Sequence, residues 1–174
     1  MATVTFRPTG AGFYTGGIAN GAANKWDCVD ETTSDGDSTY IDYGSGSSTT
    51  TFLITTNTIT NTDTINSVTV YNIARATSAG KLVTAICNPS IYEGGILSTA
   101  SYSSNIPTSY QTYSKTWTTV PSTGNAWTKG DIDALEIGET CVTSTNIRVT
   151  QVYIVVDYTS SGPAPGTFMS WFTL

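Results

Sequence analysis

Histidine is absent from this 174-residue sequence, and that bounds the chemistry its other residues can do. Ser-His and Cys-His nucleophiles need an imidazole to take the proton, so neither arrangement is available. With no CxxC spacing either, a zinc site of the usual kind is excluded. Carboxylates remain. Asp131, Asp133, Glu136 and Glu139 fall close enough in sequence to suggest an acid–base pair for glycoside cleavage. A plainer account is stronger. Asp131 and Asp133 lie in the first turn of an expected helix, where the dipole favours negative charge. The reading is therefore not an enzyme, with no catalytic residue assigned.

Two further groups are candidates for binding. Asp30, Glu31, Asp35, Asp37 and Asp42 cluster within one expected hairpin, and oxygen ligands at a turn can hold calcium. Their spacing does not match an EF-hand loop, and Asp-Gly is a good turn in its own right. No metal and no cofactor is assigned. Tyr102, Tyr110, Tyr113 and Trp117 form an aromatic group able to stack on sugar rings. Tyrosine also fits strands and edges without any ligand, so a surface glycan stays a secondary expectation.

The three cysteines, Cys28, Cys87 and Cys141, cannot all pair within one chain. Cys87 sits in the apolar run LVTAICNP and is expected to pack as a small buried hydrophobe.

Ser and Thr make up roughly three residues in ten, while charged residues are only 11% against ~25% typically. Thr favours strands and Ser favours turns, so the composition is that of an all-β protein with many edges. The net charge of −6 comes with seven scattered basic residues, which leaves no patch for a phosphate backbone and argues against nucleic acid. No apolar run approaches the ~20 residues of a membrane span. MATVTFRPTG lacks the charged and apolar regions of a signal peptide. Taken as a native start, Met1 implies synthesis in a cytosol.

The elements that would position these groups are organised around Asn146 to Tyr158, a run of β-branched and aromatic residues without Gly or Pro. At ~3.3 Å per residue it spans roughly 40 Å, the height of a small sandwich. Val152, Ile154, Val156 and Tyr158 fall on one face. Val149, Gln151, Tyr153 and Val155 fall on the other, so the strand is placed centrally and covered on both sides. Before it, Thr128 and Asp131 make a capping-box-like pair. Ile132, Leu135 and Ile137 follow as an apolar face, and Gly138 is expected to stop the helix.

In chain order, strands are expected at Ala2 to Phe6, Trp26 to Asp30, Thr39 to Tyr43, Thr50 to Thr55, Ile65 to Thr77, Lys81 to Cys87, Gly95 to Ala100 and Tyr110 to Val120. Trp26–Asp30 would form a hairpin with Thr39–Tyr43, and Ile65–Thr77 with Lys81–Cys87. Phe13 and Tyr14 read as part of a glycine-rich connection, and Pro89 as a strand end. The fold class is all-β: a single-domain β-sandwich or jelly roll over residues 1–160, with one short helix before the last long strand. Periodicity leaves the strand order open. Residues 161–174 read as a Gly/Pro linker and an apolar C-terminal arm.

NKWDCVDE (Asn24–Glu31), DGDSTYI (Asp35–Ile41), INSVTVYNIARA (Ile65–Ala76), AWTKGDIDALEIG (Ala126–Gly138) and VTQVYIVVDY (Val149–Tyr158) together resemble small jelly-roll structural proteins of tailed bacterial and archaeal viruses. Those proteins decorate heads or build tails and fibres, and similar modules occur in microbial surface proteins. The shared motifs concern packing and turns, so no functional residue carries over. The resemblance implies a non-enzymatic virion protein, a capsid decoration or a tail or fibre component, acting by self-association and by docking on other particle proteins. The alternatives are a subunit of an extracellular pilus-like filament joined through a terminal arm, and a carbohydrate-binding module. Phe168, Met169, Trp171 and Phe172 are the expected homo-oligomer interface, because a linker before an aromatic cluster lets it reach a neighbour.

Overall fold

A computed structural model describes residues 1–78, 84–102 and 104–161. Eleven strands lie among them: β1 (Ala2–Phe6), β2 (Pro8–Thr15), β3 (Ile18–Asn20), β4 (Tyr40–Tyr43), β5 (Gly46–Ile54), β6 (Thr64–Ala76), β7 (Ala85–Glu93), β8 (Ile96–Thr99), β9 (Gln111–Trp117), β10 (Glu136–Thr143) and β11 (Ile147–Thr159). One short helix, α1 (Lys129–Asp133), precedes β10, and a single 3-10 turn spans Trp26–Cys28.

The strands form two antiparallel sheets. In the first, β11 is central, paired with β6 along one edge and with β1 and the β3–β4 hairpin along the other. β9 completes it beyond β6. The second runs β2–β5–β10–β7–β8. Within these sheets the orders β1–β11–β6–β9 and β5–β10–β7–β8 are those of a jelly roll, in which successive strands cross between two facing sheets. The fold is therefore the all-β sandwich expected from composition and pattern.

The core fills the space between the sheets. β6 contributes Val68, Val70, Ala74 and Ala76, and β11 contributes Ile147, Val149, Val152, Ile154 and Val156. Facing them are Phe52, Ile91 and Ile137 of the second sheet. On β11, Val149 and Val152 share the core face even though an odd interval separates them. A register shift between Val149 and Gln151 inserts one residue, and such a bulge flips the alternation. The two faces read from simple alternation therefore exchange at this point. The outer face of β11 is only half-covered: Tyr153 and Val155 are partly buried, and Tyr153 stacks on Tyr71 with centroids 4.7 Å apart.

Several expectations are corrected. Trp26–Asp30 is not a strand. Its 3-10 turn buries Cys28 and Val29, and the Val29 carbonyl accepts the Val152 N–H at the β11 bulge. β4 therefore pairs with β3 and β11 instead of with that segment. β7 is not the hairpin partner of β6 but lies in the opposite sheet. It also runs straight through Pro89. The Pro89 carbonyl accepts from Ala100 on the β8 side, and its missing N–H points the same way, past the end of β8, so no bond to β10 is lost. Phe13 and Tyr14 belong to β2. Ile137 and Gly138 do not end the helix; they open β10, so a strand stands between α1 and β11.

Cys87 and Cys141 face each other in register on β7 and β10, with Cα atoms 4.1 Å apart, and form a disulfide. Cys28 stays free and buried. Among the described residues no helix is long and apolar enough to cross a membrane. Phe168, Met169, Trp171 and Phe172 lie outside the described residues, as does most of the 161–174 segment.

Candidate functional site

The acidic group of the 30–42 region is held by protein partners. Asp37 sits between two guanidiniums: Arg75 on β6 at 2.8 Å and Arg148 on β11 at 3.0 Å, two residues opposed in the β6–β11 register. The Tyr110 hydroxyl donates to the same carboxylate at 2.7 Å. Burial alone would raise the Asp37 pKa, but the hydrogen bonds from Tyr110, Arg75 and Arg148 outweigh it and hold the carboxyl down to about 2. Tyr110 is pushed up to about 12 by burial and by the adjoining Asp37. Asp35 accepts from Thr150 and Thr39, Glu31 from Thr39, and Asp42 from Asn146. This arrangement clamps a long loop onto the first sheet. Among the described residues, no three His, Cys, Asp or Glu side chains are grouped to hold a metal ion.

The carboxylates of the helix and β10 are dispersed. Asp131 closes a capping box with Thr128, as its spacing suggested. Asp133 pairs with Lys129 at 2.5 Å, one turn away. Glu136 and Glu139 are three residues apart on one strand and so face opposite sides of it. The Glu136 carboxylate lies on the outer face, where it accepts the Phe13 N–H at 2.7 Å and the Thr51 hydroxyl at 2.5 Å. Glu139 lies fully inside the sandwich. Its Oε1 accepts from the Tyr43 hydroxyl, which crosses from the other sheet, and its Oε2 has no protein partner. Burial pushes the Glu139 pKa up to about 8, against the lowering effect of the Tyr43 bond. Glu136 and Glu139 therefore cannot address one substrate together.

The four aromatics offered for sugar stacking also separate. Trp117 is buried, with its indole N–H on Ser98. Tyr110 belongs to the Asp37 node. Only Tyr102 and Tyr113 meet, edge to face at 5.8 Å.

A different aromatic surface is built on the outer face of the second sheet. Phe13 stacks on Tyr92 with centroids 5.1 Å apart, and Tyr14 meets both rings edge-on. Phe13 is 66% exposed. Beside Tyr14, a cleft of about 230 Å³ opens between β2, β5 and the 23–26 segment, with Trp26 and Lys25 in its wall. Three of the cleft's polar groups are held by the protein: the Lys25 ammonium on the Thr15 carbonyl, the Thr50 hydroxyl on the Gly16 carbonyl and the Thr51 hydroxyl on Glu136. The site offers apolar surface and shape, with no reactive group. Sequence reading misses it because Phe13 and Tyr14 stand among glycines, and because Tyr92 is more than seventy positions away, brought close only through sheet pairing. The residue signal is the Gly-x-Gly at Gly10 and Gly12: a Cβ on Gly12 would lie 2.6 Å from the Thr51 carbonyl, so β2 can press onto β5 only without one.

Comparison of the chain with protein-family models and with curated proteins finds no match.

Proposed function

We propose that this chain is a non-enzymatic structural protein of a virus particle, a capsid decoration or a tail or fibre component. It works by self-association and by docking on other particle proteins. The observation that carries this reading is that its chemically capable side chains are spent on the jelly roll itself. Asp37 is neutralised by Arg75 and Arg148, Glu136 is tied under β2, and Glu139 is enclosed. An exposed apolar patch around Phe13 is left for a partner.

Three further features support the reading. Jelly rolls recur in viral capsid proteins, although fold alone does not decide function. The Cys87–Cys141 disulfide suits a protein that works at a virion or cell surface, since such bonds do not persist in a reducing cytosol. The first strand already pairs with β11 of its own sheet, which leaves the C-terminal segment as the arm able to reach a neighbour. Electron microscopy of the native assembly tests the proposal. The expected image is a particle or tail carrying this protein in a regular array. A protein found only as dispersed monomers, or in cell-anchored filaments, contradicts it.

A further inference from the structure

The outer face of the second sheet carries a prepared apolar platform. One register row across that sheet reads Leu53, Glu136, Tyr92 and Leu97. Phe13 lies over this row, stacked on Tyr92, and Leu53 is 48% exposed beside it. Phe13 is not held out in water by accident of a loose loop. Its N–H is pinned to the Glu136 carboxylate, and the next N–H, that of Tyr14, is pinned to the Thr51 hydroxyl at 3.1 Å. The one charge in the row is thereby occupied, which leaves the platform apolar.

The same molecule has an uncharged segment in need of such a surface. Residues 162–174 hold Phe168, Met169, Trp171 and Phe172 and no charged side chain. That segment departs from the right end of the fold. β11 finishes at Thr159 opposite Thr64, and Ser160 and Ser161 bond to Asp63 in the 55–63 connection. This connection joins the end of β5, just past Leu53, to the start of β6. The platform and the departure point thus share one end of the sandwich, on opposite sheets.

We infer that the Phe13–Tyr92 platform of one copy receives the C-terminal arm of a second copy. The inference rests on the self-association proposed above and names its receiving surface. A neighbour is favoured over the chain's own platform by the linker. Gly162–Gly166 contains Pro163 and Pro165, and such sequences extend by about 3.1 Å per residue. A linker of that composition can span roughly 15 Å in five residues. Reaching the same copy's platform would demand a reversal around the end of two sheets spaced ~10 Å apart. A neighbouring copy demands none. Each copy gives one arm and accepts one, so the contact closes as a reciprocal arm-exchanged dimer or a ring, or propagates as a filament.

Two variants of the full chain test this, each adding one cysteine to the buried Cys28 and the Cys87–Cys141 pair: Leu53→Cys at the platform rim and Ser170→Cys within the arm, each leaving the aromatic residues intact. They are mixed and oxidised, and sedimentation velocity is run on the same samples. The expected result is a covalent dimer in the mixture, formed at least about tenfold faster than in either variant alone. Phe13→Ser in the full chain is expected to weaken self-association by about tenfold or more, the loss typical of a central aromatic anchor. If the mixture assembles but cross-links no faster than the single variants, the receiving surface is wrong and the arm acts elsewhere. Full-length protein that stays monomeric overturns the self-association on which the inference rests.

Discussion

Glu139 is the residue whose environment most departs from its chemistry. A carboxyl enclosed between two sheets, with one oxygen on Tyr43 and the other unpartnered, is favoured in its neutral form. Its pKa is raised to about 8 in the folded chain, against about 4.3 for a free glutamate. Between those values the folded state binds a proton that the unfolded state has lost, so stability falls as pH rises through this window and levels off above it. The slope is on the order of 1 kcal/mol per pH unit. Burial also raises the pKa of Glu31, and its contribution has the same sign. Asp37, held down to about 2, acts only at much lower pH, where its stabilisation is lost as pH falls. Glu139→Gln keeps the shape and an acceptor for Tyr43 but cannot ionise. Urea denaturation is expected to find the variant close to the native protein at pH 5 and more stable than it at pH 8.5. Parallel pH profiles for the two proteins would refute the assignment.

At the scale of elements, β10 is the strand on which the second sheet depends, and it is the one the sequence hides best. Its EIGETCVT mixes a glycine, two glutamates and two threonines after a well-formed helix signal, so the helix reading extends two residues too far into it. The helix start was legible because a capping box is a local, two-residue device, and Thr128 and Asp131 form it as spaced. β6 and β11 were legible because long alternating β-branched runs announce themselves. Pairings such as β7 with β10 were not, since jelly-roll contacts join segments dozens of residues apart and leave no local trace. For the same reason the Asp37–Arg75–Arg148 node could not be read from a spacing, and neither could the Phe13–Tyr92 stack. Gly138 shows how close the sheet packs at β10: an added Cβ would lie 1.9 Å from the Thr50 carbonyl oxygen, a backbone atom that cannot swing aside. Gly138→Ala is expected to cost about 3 kcal/mol, measured as a lowered denaturant midpoint. A midpoint within error of the native value would show that β5 and β10 can separate without penalty.

For the whole molecule, the sandwich is held by a single core, one disulfide joining neighbouring strands of one sheet, and a clamp of charged groups on the other. The Cys87–Cys141 bond closes a loop with a sequence separation of 54, and removing both cysteines as alanines is expected to cost about 2–4 kcal/mol by guanidinium denaturation. An unchanged stability would mean that the bond does not form in the native protein. We propose that this sandwich is a structural unit whose C-terminal segment joins one copy to the next. Sedimentation velocity on the full chain and on the chain lacking Gly162–Leu174, with circular dichroism on both, tests it most directly. Concentration-dependent assembly is expected for the full chain and a folded β-rich monomer for the shortened one. A shortened chain that assembles normally, or one that no longer folds, would contradict it.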